Sequence, residues 1–299
     1  MEISNSFELV HNYYKRIFFL FVPNICNARC PFCYVEPTFS NQAILSNSLL
    51  NKTNSFVKSC KDIGFNEFRI TGGEPLLFQN ISELISIFQQ NDVSYTLLTN
   101  GINLEKHFSS LTEYKPKKIT ISYHSRKYYE EIFGVKFNTD ILDKNIKMIC
   151  ENKIDLTISI LLLPENIHEI YTHINHLIGL GVKSIKLIYP NNESVKSKLL
   201  IEFNDTIKEI NRIEGIEFRY SDLRRKTCNL LERGFLSLPL NQEKIFGCCN
   251  SVSNNEFISK FNSNILLTDI LWDFYKSSRE LTYFPCESHV DFCPIALNN

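Results

Sequence analysis

Asn24-Ile25-Cys26-Asn27-Ala28-Arg29-Cys30-Pro31-Phe32-Cys33-Tyr34-Val35-Glu36 sets three cysteines at CxxxCxxC spacing within one short loop. Cysteine thiolates hold iron–sulfur clusters, usually four to a cluster, so three close ones without a fourth beside them leave one iron open to another ligand. An open coordination position is where a metal site does chemistry. Zinc is the competing reading, but structural zinc sites pair one such half with a second, and no second half lies nearby. A disulfide framework fits less well, because three thiols leave one over.

Just before this loop, Arg16 to Val22 is a continuous apolar run stopped by Pro23, the pattern of a strand buried on both faces. Downstream, helical spacing over 42–63 (Ile44, Leu45, Leu49, Leu50, Phe56, Val57) ends at Gly64, and a strand follows over Glu67 to Thr71. Helix over Ile81 to Phe88, strand over Tyr95 to Thr99, helix over Leu104 to Leu111 and strand over Lys118 to Tyr123 continue the rhythm. A helix near Ile141 to Cys150, a strand over Leu156 to Leu163, a helix over Glu165 to Leu180 and a strand over Ser184 to Tyr189 complete six repeats. Such alternation implies a parallel sheet with right-handed crossovers, and barrels of this kind build their active sites from loops at the strands' C-terminal ends.

Three of those strand ends carry motifs: Arg69-Ile70-Thr71-Gly72-Gly73-Glu74-Pro75, Leu98-Thr99-Asn100-Gly101 and Ile121-Ser122-Tyr123-His124. With the cysteine loop, they make the chain resemble the radical S-adenosylmethionine (SAM) superfamily over about residues 15 to 190. The resemblance implies a partial (β/α)6 TIM barrel of the α/β class. It also implies a [4Fe-4S] cluster on Cys26, Cys30 and Cys33 whose free iron is chelated by SAM, and reductive cleavage of SAM to a 5'-deoxyadenosyl radical that abstracts a substrate hydrogen atom. Phe32 matches the family's aromatic residue near the adenine, with a simple loop anchor as the alternative. Gly72, Gly73, Glu74 and Pro75 match the segment that holds the methionine amino group, and Thr99, Asn100 and Ser122 match positions that reach the carboxylate or ribose. For Thr99 and Asn100 an ordinary strand-end turn is the other reading. His124 stands where related sequences often have an acid, and is read as a catalytic proton donor or acceptor or as a hydrogen-bonded structural histidine. Arg69 is read as an inward-facing anion ligand of the catalytic site or as half of an internal ion pair. Cys60 and Cys150, on helical stretches, read as buried thiols without chemistry.

Beyond Tyr189-Pro190 the βα rhythm stops, and Cys228, Cys248, Cys249, Cys286 and Cys293 follow. Phe235 to Leu240 and Lys244 to Phe246 read as two strands of a hairpin bringing Cys228 and Cys248 together, and Leu266 to Leu281 reads as a helix returning toward Cys286 and Cys293. This order resembles the SPASM and twitch extensions of radical SAM enzymes, an α+β module that binds auxiliary clusters. The resemblance implies a second [4Fe-4S] cluster on Cys228, Cys248, Cys286 and Cys293, with Cys249 able to replace one ligand and zinc as the alternative metal. The domains expected are an arm (1–15), the partial barrel (16–190) and the cluster module (191–299).

With 299 residues, 43% hydrophobic and 22% charged, the chain has ordinary soluble composition, and a net charge of −1 gives no reason to expect nucleic acid or an anionic membrane as partner. The opening MEISNSFELV has no basic signal region and no apolar run reaches membrane-spanning length, so a cytoplasmic location is expected, where ten cysteines suit metal better than disulfides. The resemblance implies flavodoxin or ferredoxin as electron donor. The expected substrate is a ribosomally made peptide, oxidised or crosslinked at an unactivated carbon, although 15 residues leave no room for a leader-peptide-binding domain. A small molecule such as an aminocyclitol, sugar or nucleoside is the alternative, and a non-catalytic metal-binding protein is a third reading. The text from Lys118 to Ile188 also looks like the branch that makes a pterin precursor from GTP. Thr157, where a basic nucleotide ligand is expected, and the ending Leu297-Asn298-Asn299 in place of a glycine pair argue against that assignment.

Overall fold

The computed structural model describes residues 17–33, 37–62, 65–188, 206, 209–210, 213–220, 235–240, 244–245 and 259–260. Its frame is a parallel sheet of β1 (Ile17–Phe21), β2 (Glu67–Thr71), β3 (Ser94–Thr99), β4 (Lys118–Ser122), β5 (Leu156–Leu161), β6 (Ser184–Ile188), β7 (Glu217–Tyr220) and β8 (Phe235–Pro239). The spatial order is β8-β1-β2-β3-β4-β5-β6-β7, every neighbouring pair parallel. The crossovers carry α1 (Asn47–Asp62), α2 (Ile81–Gln90), α3 (Phe108–Glu113), α4 (Tyr129–Phe133), α5 (Thr139–Glu151) and α6 (Ile170–Gly179).

The sheet departs from the sequence reading in three places. Strand alternation does not end at Tyr189: β7 and β8 add to either edge, so the sheet has eight strands instead of six. Phe235–Pro239 does not form a hairpin with Lys244–Ile245; it pairs with β1, while Lys244–Ile245 pairs antiparallel with Ser259–Lys260. An isolated two-stranded ribbon is marginal, whereas pairing with β1 joins the strand to a large sheet. Ile44, read as part of the first helical face, is 69% exposed, because the helix starts only at Asn47. Cys228, Cys248, Cys249, Cys286 and Cys293 and the expected helix at 266–281 lie outside the described residues.

Alternation along the strands separates two faces. Phe68 and Ile70 on β2 and Ile119 and Ile121 on β4 are fully buried beneath the helices, whereas Glu67, Arg69 and Thr71 point to the inner face. The helix side is filled by aromatic packing: the Phe18 ring meets Phe56 edge-on at 4.8 Å and Phe65 at 5.5 Å. On the inner side, the charge of Arg219 on β7 acts on Arg69 on β2, five strands away. In a flat sheet those strands lie about 24 Å apart. The sheet therefore curls into an open barrel. Its lower end is closed by charge pairs at the strand starts: Lys118 with Asp155 at 3.2 Å, Arg219 with Glu217 at 2.8 Å, and Lys117 with Glu67. Among the described residues no helix is long and apolar enough to cross a membrane.

Phe18 is the test of this core. Phe18→Ala leaves a void between α1 and the sheet, and urea unfolding is expected to show a loss of about 3–5 kcal/mol; an unchanged midpoint would place Phe18 outside the stabilising core.

Candidate active site

The upper rim is organised by the buried carboxylate of Glu74, which is 1% exposed. Glu74 Oε1 accepts from Leu76 N at 2.8 Å and from Thr99 Oγ1 at 2.6 Å, and Oε2 accepts from Asn100 N at 2.7 Å. Its own N–H donates to Ile25 O at 2.8 Å. One residue thus joins the loops after β1, β2 and β3. Burial pushes the Glu74 carboxyl up to about 7, against the pull of its three hydrogen-bond donors. The preceding glycines permit the approach. A Cβ on Gly73 would lie 2.0 Å from Ile25 O, and Gly72, at φ +124°, would bring one to 2.6 Å from Val22 O.

The cysteine loop is fastened on all sides. Ser40 N donates to Cys26 O at 2.9 Å, Asn100 Nδ2 donates to Asn27 Oδ1 at 2.8 Å, and Arg29 N donates to Phe133 O at 2.8 Å, at the end of α4. The Arg29 guanidinium lies 4.0 Å over the Phe39 ring. Two donors approach Cys26 Sγ, Ala28 N at 3.4 Å and Asn100 Nδ2 at 3.9 Å. Burial pushes the Cys26 thiol up to about 11 and the Cys30 thiol up to about 12, with the Cys33 charge adding to both. Cys26 and Cys30 therefore need a bound cation to become thiolates, and with Cys33 they make a soft all-sulfur donor set that suits an iron–sulfur cluster. Among the described residues no group of three His, Cys, Asp or Glu is placed to hold a single metal ion. The residues fit a cluster, whose irons meet one thiolate each.

The remaining site residues divide by their partners. The Thr99 hydroxyl donates to Glu74 and accepts from Gly101 N at 3.0 Å, and Asn100 Oδ1 accepts from Ile102 N at 3.0 Å, so these side chains fix loops. Ser122 is half-buried on the inner face, in register with Ser159 of β5. Phe32 is 36% exposed and meets His124 edge-on at 5.5 Å, an aromatic at the mouth of the site.

His124 and Arg69, each read as catalytic or as structural, both have structural partners here. His124 is 6% exposed, stacked on Phe133 at 5.1 Å, and its Nδ1 accepts from Leu161 N at 3.0 Å. Burial holds its pKa down to about 3, so it stays neutral and ties β4 to β5. Its carbonyl accepts from Asn166 Nδ2 at 2.8 Å, a bond that extends the tie to the next loop. Arg69 stands in the middle of β2, below the rim, with Nε 3.6 Å from Glu67 Oε1 and its guanidinium 5.4 Å from the Phe19 ring. It belongs to the charge pairs of the barrel's lower half. Cys60 is fully buried, as read from the sequence, whereas Cys150 is only half-buried.

Sequence reasoning missed Asn27, Asn166 and all of α4, which contributes Tyr129 and Phe133, rings stacked at 4.4 Å. An aromatic pair four residues apart followed by Gly134 was the available signal.

The family model of the radical SAM superfamily matches residues 20–177. The chain belongs to the radical SAM superfamily. Members of the family bind a [4Fe-4S] cluster and SAM. Among curated relatives, a probable GTP 3',8-cyclase of Methanopyrus kandleri is 26% identical over 168 residues, 55% of this chain and 53% of that protein. One of Sulfurisphaera tokodaii is 27% identical over 197 residues, 64% of this chain and 60% of that protein. The chain thus spans little more than half the length of these relatives. Among solved structures, Streptococcus suis SuiB bound to its precursor peptide SuiA superposes with a TM-score of 0.70, covering 96% of this chain and 72% of that one, at 16% identity. SuiB bound to S-adenosylmethionine gives 0.72 over 95% of this chain. At these identities the likeness establishes the shared fold.

Glu74 supplies a pH test in the metal-free protein. Because its folded pKa of about 7 lies above the ordinary 4.5, the folded state holds a proton through that interval that the unfolded state has released. Its contribution is thus most favourable below about pH 4.5, falls as pH rises through the interval and levels above 7. Urea midpoints of wild type relative to Glu74→Gln are expected to move against wild type by roughly 2–3 kcal/mol between pH 4.5 and 8; a constant difference would show that the carboxyl does not titrate there.

Proposed function

We propose that this chain is a radical SAM maturase: Cys26, Cys30 and Cys33 hold the [4Fe-4S] cluster, and the substrate is a ribosomally synthesised peptide that is oxidised or crosslinked. When bound, the reduced cluster and SAM supply the 5'-deoxyadenosyl radical that removes a substrate hydrogen atom. The chain's own residues hold that site rigid. Glu74, Thr99 and Asn100 fix the rim, Gly72 and Gly73 let the backbone close on the cysteine loop, and Phe32 and Ser122 border the space for SAM and substrate. The observation that carries the substrate reading is the match to SuiB over 96% of this chain, a structure that contains a precursor peptide. The second cluster is part of the same reading, on Cys228, Cys248, Cys286 and Cys293, with the module at 191–299 that contains them and a flavodoxin or ferredoxin as electron donor.

A second reading, radical chemistry on GTP or another small molecule, is favoured by the names of the sequence relatives. Two observations weigh against GTP. Thr157 is 3% exposed and its hydroxyl is 3.2 Å from Ser184 Oγ, turned into the sheet's own hydrogen bonding. The cations Arg69, Lys118 and Arg219 on or near the inner face each have an acidic neighbour, whereas a triphosphate needs uncompensated positive charge.

Anaerobic reconstitution followed by iron and sulfide analysis and a 5'-deoxyadenosine assay with dithionite and SAM tests the proposal. About eight irons per chain are expected, falling to about four in Cys30→Ala, which also loses deoxyadenosine formation. With a short peptide encoded next to the gene, where sequencing of the locus finds one, turnover should rise and the peptide should lose a pair of hydrogens. Turnover driven by GTP with an unmodified peptide would transfer the assignment to the small-molecule reading.

A further inference from the structure

Tyr129 lies in α4, directly behind the cysteine loop, and is 3% exposed. Its ring is locked by aromatic neighbours: stacked on Phe133 at 4.4 Å, tilted against Phe137 at 5.7 Å, and edge-on to Tyr123 at 6.2 Å. The helix that carries it is pinned to the loop, since Phe133 O accepts from Arg29 N, the residue before Cys30. Despite this rigid setting, the phenol oxygen has no hydrogen-bond partner among the described residues. Buried hydroxyls nearly always have one.

The chemistry around the hydroxyl indicates what is missing. The charged groups that act on it are Cys30 first, then Glu74, then Cys26. Glu74 is already committed to Leu76 N, Thr99 Oγ1 and Asn100 N, and Cys26 Sγ already faces Ala28 N and Asn100 Nδ2. Cys30 follows Arg29, whose N–H is held by the Phe133 carbonyl of α4, so it is the ligand next to the point where the helix is fastened to the loop. A phenol O–H is a good donor to a thiolate or sulfide, and hydrogen bonds to cluster sulfurs are among the levers that set a cluster's potential.

We propose that Tyr129 Oη donates a hydrogen bond to the sulfur shell of the cluster on the Cys30 side, at the thiolate or an adjacent inorganic sulfide, and thereby raises the cluster's reduction potential. This rests on the ligation by Cys26, Cys30 and Cys33 proposed above. The bond withdraws negative charge from sulfur and so favours the reduced form, which carries one more electron. In the metal-free protein the hydroxyl has no acceptor among the described residues, so its removal there is expected to be harmless or stabilising.

The test compares wild type with Tyr129→Phe as full chains. Thermal unfolding of the metal-free proteins should show the variant at least as stable as wild type, and iron and sulfide content after reconstitution should match. An EPR-monitored redox titration, following the signal that responds to SAM, should then show a lower midpoint in Tyr129→Phe, with the reduced fraction at fixed potential falling by up to about tenfold, which is about 59 mV for one electron. Pulsed EPR in H2O and D2O should show an exchangeable proton coupled to the wild-type cluster and absent from the variant. Equal midpoints and equal proton couplings at full loading would overturn the proposal. If wild type and Tyr129→Phe both keep the SAM-responsive cluster when Cys30 is replaced, the ligation reading fails instead.

Discussion

A single buried carboxylate fixes the rim of this barrel. Glu74 accepts three hydrogen bonds, from two backbone N–H groups and one hydroxyl, while its own N–H reaches the carbonyl of Ile25. An ionised carboxylate meets all three donors with its two oxygens, whereas an amide of the same shape would set its NH2 against one of them. Ionised and shielded from water, it is costly, and the three donors are what make it tolerable. The glycines before it have a similar logic. Their missing Cβ atoms are the space into which the cysteine loop fits.

From that knot the site divides into a rigid polar tier and an aromatic tier. Asn100 extends the first to Asn27 and Cys26, and His124 joins Phe32 to Phe133 in the second. The strand starts at the opposite end carry paired charges and no site chemistry. This separation of a reactive upper rim from a stabilising lower end follows from parallel strands, whose C-terminal ends all point the same way.

The six leading strands and the order of the rim motifs were legible in the sequence because each strand is a short apolar run closed by a polar turn, and the turns carry residues that ordinary turns do not need together. What strand alternation reports is a face and never a height. It correctly turned Arg69 inward but did not reveal that Arg69 lies below the rim beside Glu67. His124 was ambiguous for another reason: its role depends on the backbone N–H of Leu161, 37 residues away, which no local pattern encodes. β8 was misread as half of a hairpin, since a five-residue apolar strand does not name its partner, and α4 is too short to display a helical period.

The central claim is that three thiolates on this fastened loop leave an open iron for SAM. EPR of the anaerobically reconstituted, dithionite-reduced protein, recorded before and after adding SAM, tests it most directly. A reduced [4Fe-4S] signal whose g values shift on SAM addition, and which disappears in Cys26→Ala, is the predicted result. A signal indifferent to SAM, or one that survives loss of Cys26, would contradict the account.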